Sequence, residues 1–142
     1  PMHVILRYQI ERDLFNQRIE IKDLPDYWNQ HMQQYLGIGT AGDYNNGVMQ
    51  DVHWPSGAFG YFPAYTLGRL IAAQLFHTME DAIPHIHSNI QQGKLDELFS
   101  WLKTHVHSQG QRHNTDTLLK NITGESLTPN YFINHIKKRY LQ

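Results

Sequence analysis

The residues best suited to chemistry in this chain fall in one stretch. Gly47-Val48-Met49-Gln50-Asp51-Val52-His53-Trp54 continues through Pro55-Ser56-Gly57-Ala58-Phe59-Gly60 into Tyr61-Phe62-Pro63-Ala64-Tyr65. A carboxylate such as Asp51 can orient a histidine such as His53 by accepting its ring N–H. A His or Tyr donor can stabilise the oxyanion of a tetrahedral intermediate, which makes His53, Tyr61 and Tyr65 candidate catalytic groups. The glycines let backbone come close to a ligand. Gln50 is read as fixing the loop. The same residues also suit a glycine-rich corner packed with aromatics, with Asp51 as a cap.

The elements that must position these groups read as helices. Residues 3–17 carry Leu6, Ile10 and Leu14 at four-residue spacing, with Val4 and Phe15 alongside, and predict an amphipathic helix. Asp23 is a candidate N-cap for a second helix, with Pro25 in its first turn and Gly37 at its end. Residues 37–63 hold six glycines and two prolines and read as a long irregular segment, a type that is often functional. From Pro63 to about residue 82 the periodicity predicts a strong helix, apolar over much of its circumference at 64–76 and so expected to be buried. Ile83-Pro84 ends it. A short helix to Gly93 follows, then one over 94–108 with Leu95, Leu98, Phe99, Leu102 and Val106 inward, one over 115–122, and a last one opened by Thr128-Pro129. No strand pattern stands out, so the fold class is all-α, a single helical portion over residues 1–142 with a long glycine-rich loop between helices.

Other motifs fail on context. Gly37-Ile38-Gly39-Thr40-Ala41-Gly42 spells G-x-G-x-x-G, but a dinucleotide site needs a strand before it and a helix after it. His85-x-His87 and His105-x-His107 set two imidazoles about 200° apart on a helix, an awkward pair for one metal ion. Glu80-Asp81 reads as a solvated helical pair. Ser56 lacks a nucleophile elbow. Asn121-Ile122-Thr123 matches a glycosylation sequon by chance.

The chain has 142 residues, a formal charge of −1 and no cysteine. Near-neutral charge gives no long-range attraction for nucleic acid or anionic lipid. Thiolate chemistry, disulfides and cysteine metal sites are excluded. No apolar run reaches about 18 residues, and charges at Arg7, Glu11, Arg12 and Asp13 interrupt any signal-peptide pattern. A cytoplasmic location is expected. The immediate entry from Pro1-Met2-His3 into a helix suggests an excised portion of a longer protein.

Gly47-x-x-Gln50-Asp51-x-His53-Trp54 resembles the G-x-x-Q-D-x-H-W motif of M32 zinc metallocarboxypeptidases. Gly60-Tyr61-Phe62-Pro63-x-Tyr65-x-Leu67-Gly68, His3-Val4-Ile5-Leu6-Arg7-Tyr8, Asp23-Leu24-Pro25-x-x-Trp28-Asn29 and Tyr35-Leu36-Gly37 are similar to that family as well. The likeness covers essentially the whole chain. Gln9 and Arg69 depart from it, where an acidic residue and Asn are expected. Arg69 is read as facing solvent. The resemblance implies a helical, usually dimeric enzyme that hydrolyses C-terminal residues from peptides within a deep cleft. It implies zinc held by an H-E-x-x-H helix and a later Glu, all before this portion, so the chain itself holds no metal ligand. It also implies an I-R-x-x-A-D motif just before His3. His53, Tyr61 and Tyr65 are then expected to serve the oxyanion and Asp51 to orient His53, with the chain inactive alone. The alternative is a non-catalytic helical interaction or dimerisation module.

Overall fold

The computed structural model describes residues 1–141. Seven helices follow in order: α1 (Met2–Phe15), α2 (Leu24–Leu36), α3 (Pro63–Ala82), α4 (Ile86–Gln91), α5 (Asp96–His105), α6 (Thr115–Thr123) and α7 (Asn130–Tyr140). Short 3-10 turns cover Ile21–Asp23, Val48–Gln50 and His107–Gln109. There is no strand among the described residues, and the chain is all-α. None of these helices is long and apolar enough to cross a membrane. Contacts within the span divide it into two compact units, Pro1–Leu67 and Gly68–Gln142.

The first unit is built on the pairing of α1 with α2. Leu6 and Ile10, one turn apart on α1, meet Trp28 and Met32, one turn apart on α2, and all four are buried. Leu14, Tyr27, Tyr35, Val48 and Trp54 pack around them. Phe15 does not join this row: it stays 69% exposed, edge-on to Phe59. Helix α1 closes with Arg18 N donating to the Asp13 carbonyl and Gln17 N to that of Leu14. This puts Gln17 in the left-handed region, at φ 55°, a position that usually takes glycine. Asp23 does not cap α2 through its side chain. Its carboxylate accepts from Glu20 N at 2.9 Å, closing a capping box on the preceding 3-10 turn. Gly37, at φ 68°, ends α2 as its sequence position predicts.

The irregular segment is tied down locally. Thr40 donates to Asn29 Oδ1 at 2.6 Å, and the Asp43 carboxylate accepts from Asn46 N and Nδ2. Gly47 is required by space, because a Cβ there would stand 2.6 Å from the Asp43 carbonyl oxygen.

The second unit centres on Met79, Ile86 and Trp101, with Leu75, Phe76, Leu98, Leu102 and Ile122 against them. Trp101 therefore fills the place expected of Phe99, which is 58% exposed. Helix α5 starts at Asp96 and ends at His105, a little inside the predicted 94–108, because its last turn tightens into the 3-10 turn. Gln74 is wholly buried: its amide nitrogen lies 2.9 Å from Thr123 Oγ1 and 3.2 Å from Ser126 O, while its oxygen accepts from Thr128 N. Helix α3 matches its predicted limits but not its predicted burial. Only Gln74 and Met79 along it are buried, and Tyr65 and Leu67 are 44% and 45% exposed. Its apolar circumference exceeds what the described residues can cover.

Candidate functional site

The site is a loop held against one polar face of α1. His3, Arg7 and Glu11 recur at four-residue spacing and so share a face. Arg7 is buried with its guanidinium carbon 4.7 Å from the Trp28 ring and 4.9 Å from the Phe62 ring. Its Nε donates to Asp51 Oδ2 at 2.6 Å, and its Nη1 lies 2.8 Å from His3 Nδ1. Burial and the neighbouring Arg7 charge push the His3 imidazole pKa down.

Asp51 spends its other oxygen on the loop backbone. Oδ1 accepts from His53 N at 2.7 Å and from Trp54 N at 3.2 Å. The His53 ring nitrogen Nδ1 lies 3.6 Å from Oδ1, too far for a hydrogen bond. Asp51 thus meets His53 by a hydrogen bond to its main chain, with the ring at the longer distance. The reason is competition: a buried arginine and two amides already use the carboxylate. Beyond it, Glu11 accepts from Trp54 Nε1 and from Gly60 N, each at 2.8 Å. Gly57 and Gly60 turn the chain with φ of 76° and 73°. Between them, Ala58 N donates to the His53 carbonyl at 2.9 Å.

This frame brings three predicted residues together. The His53 ring stacks on Tyr61 (centroids 5.6 Å, 26°) and tilts against Phe62 at 4.4 Å. Its Nε2 lies 3.2 Å from the Tyr65 hydroxyl. Tyr61 and Tyr65 meet edge-on at 5.3 Å. Partial desolvation and the neighbouring Tyr61 push the Tyr65 phenol pKa up. Tyr61 is 51% exposed, so the cluster opens outward. Gln50 lies apart from these rings and donates to the Asn46 carbonyl at 2.7 Å. Nε2 and the Tyr65 hydroxyl can both face one incoming oxygen when the imidazole carries its proton on Nε2.

Sequence reasoning missed Arg7 and Glu11 as parts of the site. Their four-residue spacing beside the Leu6, Ile10 and Leu14 row was the available signal. Among the described residues no group of three or more His, Cys, Asp or Glu side chains is set to hold a metal ion. His87 instead pairs with Glu80 at 2.6 Å, and His105 lies against Trp101. Arg69 is exposed.

The family model for carboxypeptidase Taq (M32) metallopeptidase matches residues 1–140. Carboxypeptidase 1 of Bacillus subtilis is 40% identical over 140 residues, 99% of this chain and 28% of its own length. Thermostable carboxypeptidase 1 of Pyrococcus furiosus is 37% identical over 139 residues, again 28% of its length. Among solved structures, metallocarboxypeptidase 1 of Trypanosoma cruzi superposes with a TM-score of 0.97 at 40% identity, covering 100% of this chain and 30% of that one. The chain thus spans about 28% of the length of the curated relatives it matches.

Proposed function

The chain belongs to the carboxypeptidase Taq (M32) metallopeptidase family, and on that premise we propose that it forms the C-terminal, substrate-cleft part of a zinc-dependent enzyme that hydrolyses C-terminal residues from peptides. The observation that carries this reading is the approach of His53 Nε2 to the Tyr65 hydroxyl at 3.2 Å, with Tyr61 stacked on the same imidazole.

As the scissile carbonyl becomes tetrahedral, its oxygen gains charge. Two donors aimed at that oxygen bind it more tightly than the neutral carbonyl, so they lower the barrier instead of merely holding substrate. His53 is the first donor and Tyr65 the second. Tyr61 flanks the imidazole and limits its rotation. Asp51 holds the peptide segment from which His53 projects. Among the described residues no group of three or more His, Cys, Asp or Glu side chains is set to hold a metal ion, and the metal ligands are proposed to lie in the part of the complete polypeptide that this chain does not span. The complete protein is read as a cytoplasmic homodimer that acts on peptide C-termini.

The test is release of a C-terminal amino acid from an N-blocked peptide. The complete polypeptide releases it, and the 142-residue chain alone does not. A complete polypeptide without this activity, or a chain active by itself, overturns the proposal.

A further inference from the structure

Glu11 sits on α1, apart from the rings of His53, Tyr61 and Tyr65, yet it is only 4% exposed. Both of its carboxylate oxygens are used, and on one loop. Oε1 takes the Trp54 indole N–H, the residue after His53, and Oε2 takes the backbone N–H of Gly60, the residue before Tyr61. The carboxylate therefore bridges the two ends of the Trp54–Gly60 turn, and the residues just outside that turn are the stacked pair. We propose that Glu11 is a positioning residue for the proposed peptidase site: its bidentate grip on Trp54 and Gly60 holds His53 and Tyr61 in register.

This inference rests on the functional reading above and adds a requirement to it. Only a carboxylate meets the demand at this position. A glutamine supplies one acceptor and one donor, so its amide nitrogen would face an N–H on one side or the other. At these part-buried contacts an N–H that loses its acceptor and faces another donor is unfavourable, and the loop would relax to find a new partner. Gly60 is the end that gives, because its backbone is free to swing, whereas the Trp54 ring packs edge-on against Trp28 (centroids 6.5 Å, 84°). Release of Gly60 moves Tyr61 off the His53 ring. Helix α1 and its core row are untouched by the Glu11→Gln change, which alters no volume.

The experiment uses the complete polypeptide with its histidines labelled at Cε1. The His53 signal, assigned by its absence in His53→Ala, is shifted by the stacked Tyr61 ring. In Glu11→Gln that signal moves toward the position of an unstacked imidazole, and kcat falls about 10–100-fold, the scale for a small misplacement of a catalytic group, while KM changes less than about threefold. In a His53→Ala background Glu11→Gln costs little more, because the residue acts through His53. The pair Glu11→Gln with Trp54→Phe removes the indole donor and lets the one remaining acceptor face Gly60, so it recovers most of the His53 shift and of kcat. That pair also decides the matter if Glu11→Gln alone does not fold. An unmoved His53 signal with normal kcat overturns the inference. So does an activity loss that is equally large with and without His53, since that is a general structural effect. If the signal moves but His53→Ala keeps its kcat, the grip stands and the functional reading is what fails.

Discussion

Replacing Asp51 by Ala removes the acceptor for three donors at once: Arg7 Nε, His53 N and Trp54 N. Both side chains of the Arg7–Asp51 pair are buried, at 7% and 1% exposure. Breaking such a pair from one side costs about 3–5 kcal/mol, because the other charge is left without its partner. Each orphaned amide adds about 1 kcal/mol at a partly buried site. Asp51→Ala is therefore expected to cost about 5–7 kcal/mol. Arg7→Met leaves the carboxylate its two amide donors and should cost about 3 kcal/mol. Asp51→Asn keeps both amide bonds but turns an NH2 toward the guanidinium, so it falls close to Arg7→Met. A carboxylate that only oriented a histidine would tolerate Asp51→Asn without loss of fold, and the buried arginine changes that expectation. At this chain length 1 kcal/mol corresponds to about 3–5 °C, so Arg7→Met should lower the melting midpoint by about 10–15 °C. Urea unfolding of the chain followed by circular dichroism measures the series. If Arg7→Met or Asp51→Asn costs under about 1 kcal/mol, water screens the pair and it does not hold the loop.

Five further outcomes are expected. Gln74→Leu removes the partners of Thr123, Ser126 and Thr128 in a wholly buried position and should cost about 2–4 kcal/mol, with faster amide exchange at Thr128. Gly124 caps α6 at φ 85° whereas a Cβ on Gly68 would meet open space, so thermal melting should show Gly124→Ala destabilising by about 1 kcal/mol and Gly68→Ala neutral or mildly stabilising. The Tyr27 hydroxyl donates to Asp13 at 2.7 Å, and that bond, aided by Arg12 and Arg18, holds the Asp13 pKa below its ordinary 3.8. A lowered carboxylate pKa gives stability that is present above pH 3.8 and lost as pH falls through the folded value, so Tyr27→Phe should raise the acid-unfolding midpoint. Burial and Asp13 push the Tyr27 phenol up to about 12. Its stabilising share is thus intact below pH 10 and lost between pH 10 and about 12, as a pH series of melting midpoints will show. Exposed Tyr65, Leu67 and neighbouring apolar groups should make the isolated chain bind a hydrophobic dye and self-associate in light scattering.

The helical class is legible in the sequence because apolar residues recur at helical spacing and because Gly37, Gly124 and Pro63 stand where helices stop or start. Packing choices within a helix are less legible. Trp101 and Phe99 both sit on α5, and Trp101 is the one that packs with Met79 and Ile86, a tertiary contact that periodicity does not encode. Helix α3 is less buried than its pattern predicts, since an apolar circumference states a need for cover without supplying it. His53, Tyr61 and Tyr65 stand out as a loop rich in chemistry. Their supports do not, because Arg7 and Glu11 reach partners 44 and 49 residues away. Nothing local distinguishes a buried arginine from one that lies along the side of a helix in water.

In the proposed mechanism His53 and Tyr65 donate to the reacting carbonyl oxygen. The direct measurement is steady-state hydrolysis by the complete polypeptide carrying His53→Ala or Tyr65→Phe, with metal content determined on the same samples. His53→Ala is expected to lower kcat about 10²–10³-fold, the scale for one lost oxyanion donor, with a smaller change in KM. Tyr65→Phe should give a similar or somewhat smaller loss, and metal content should be unchanged in both. Near-normal kcat in a folded, metal-loaded His53→Ala protein would contradict the account and leave the loop an architectural feature.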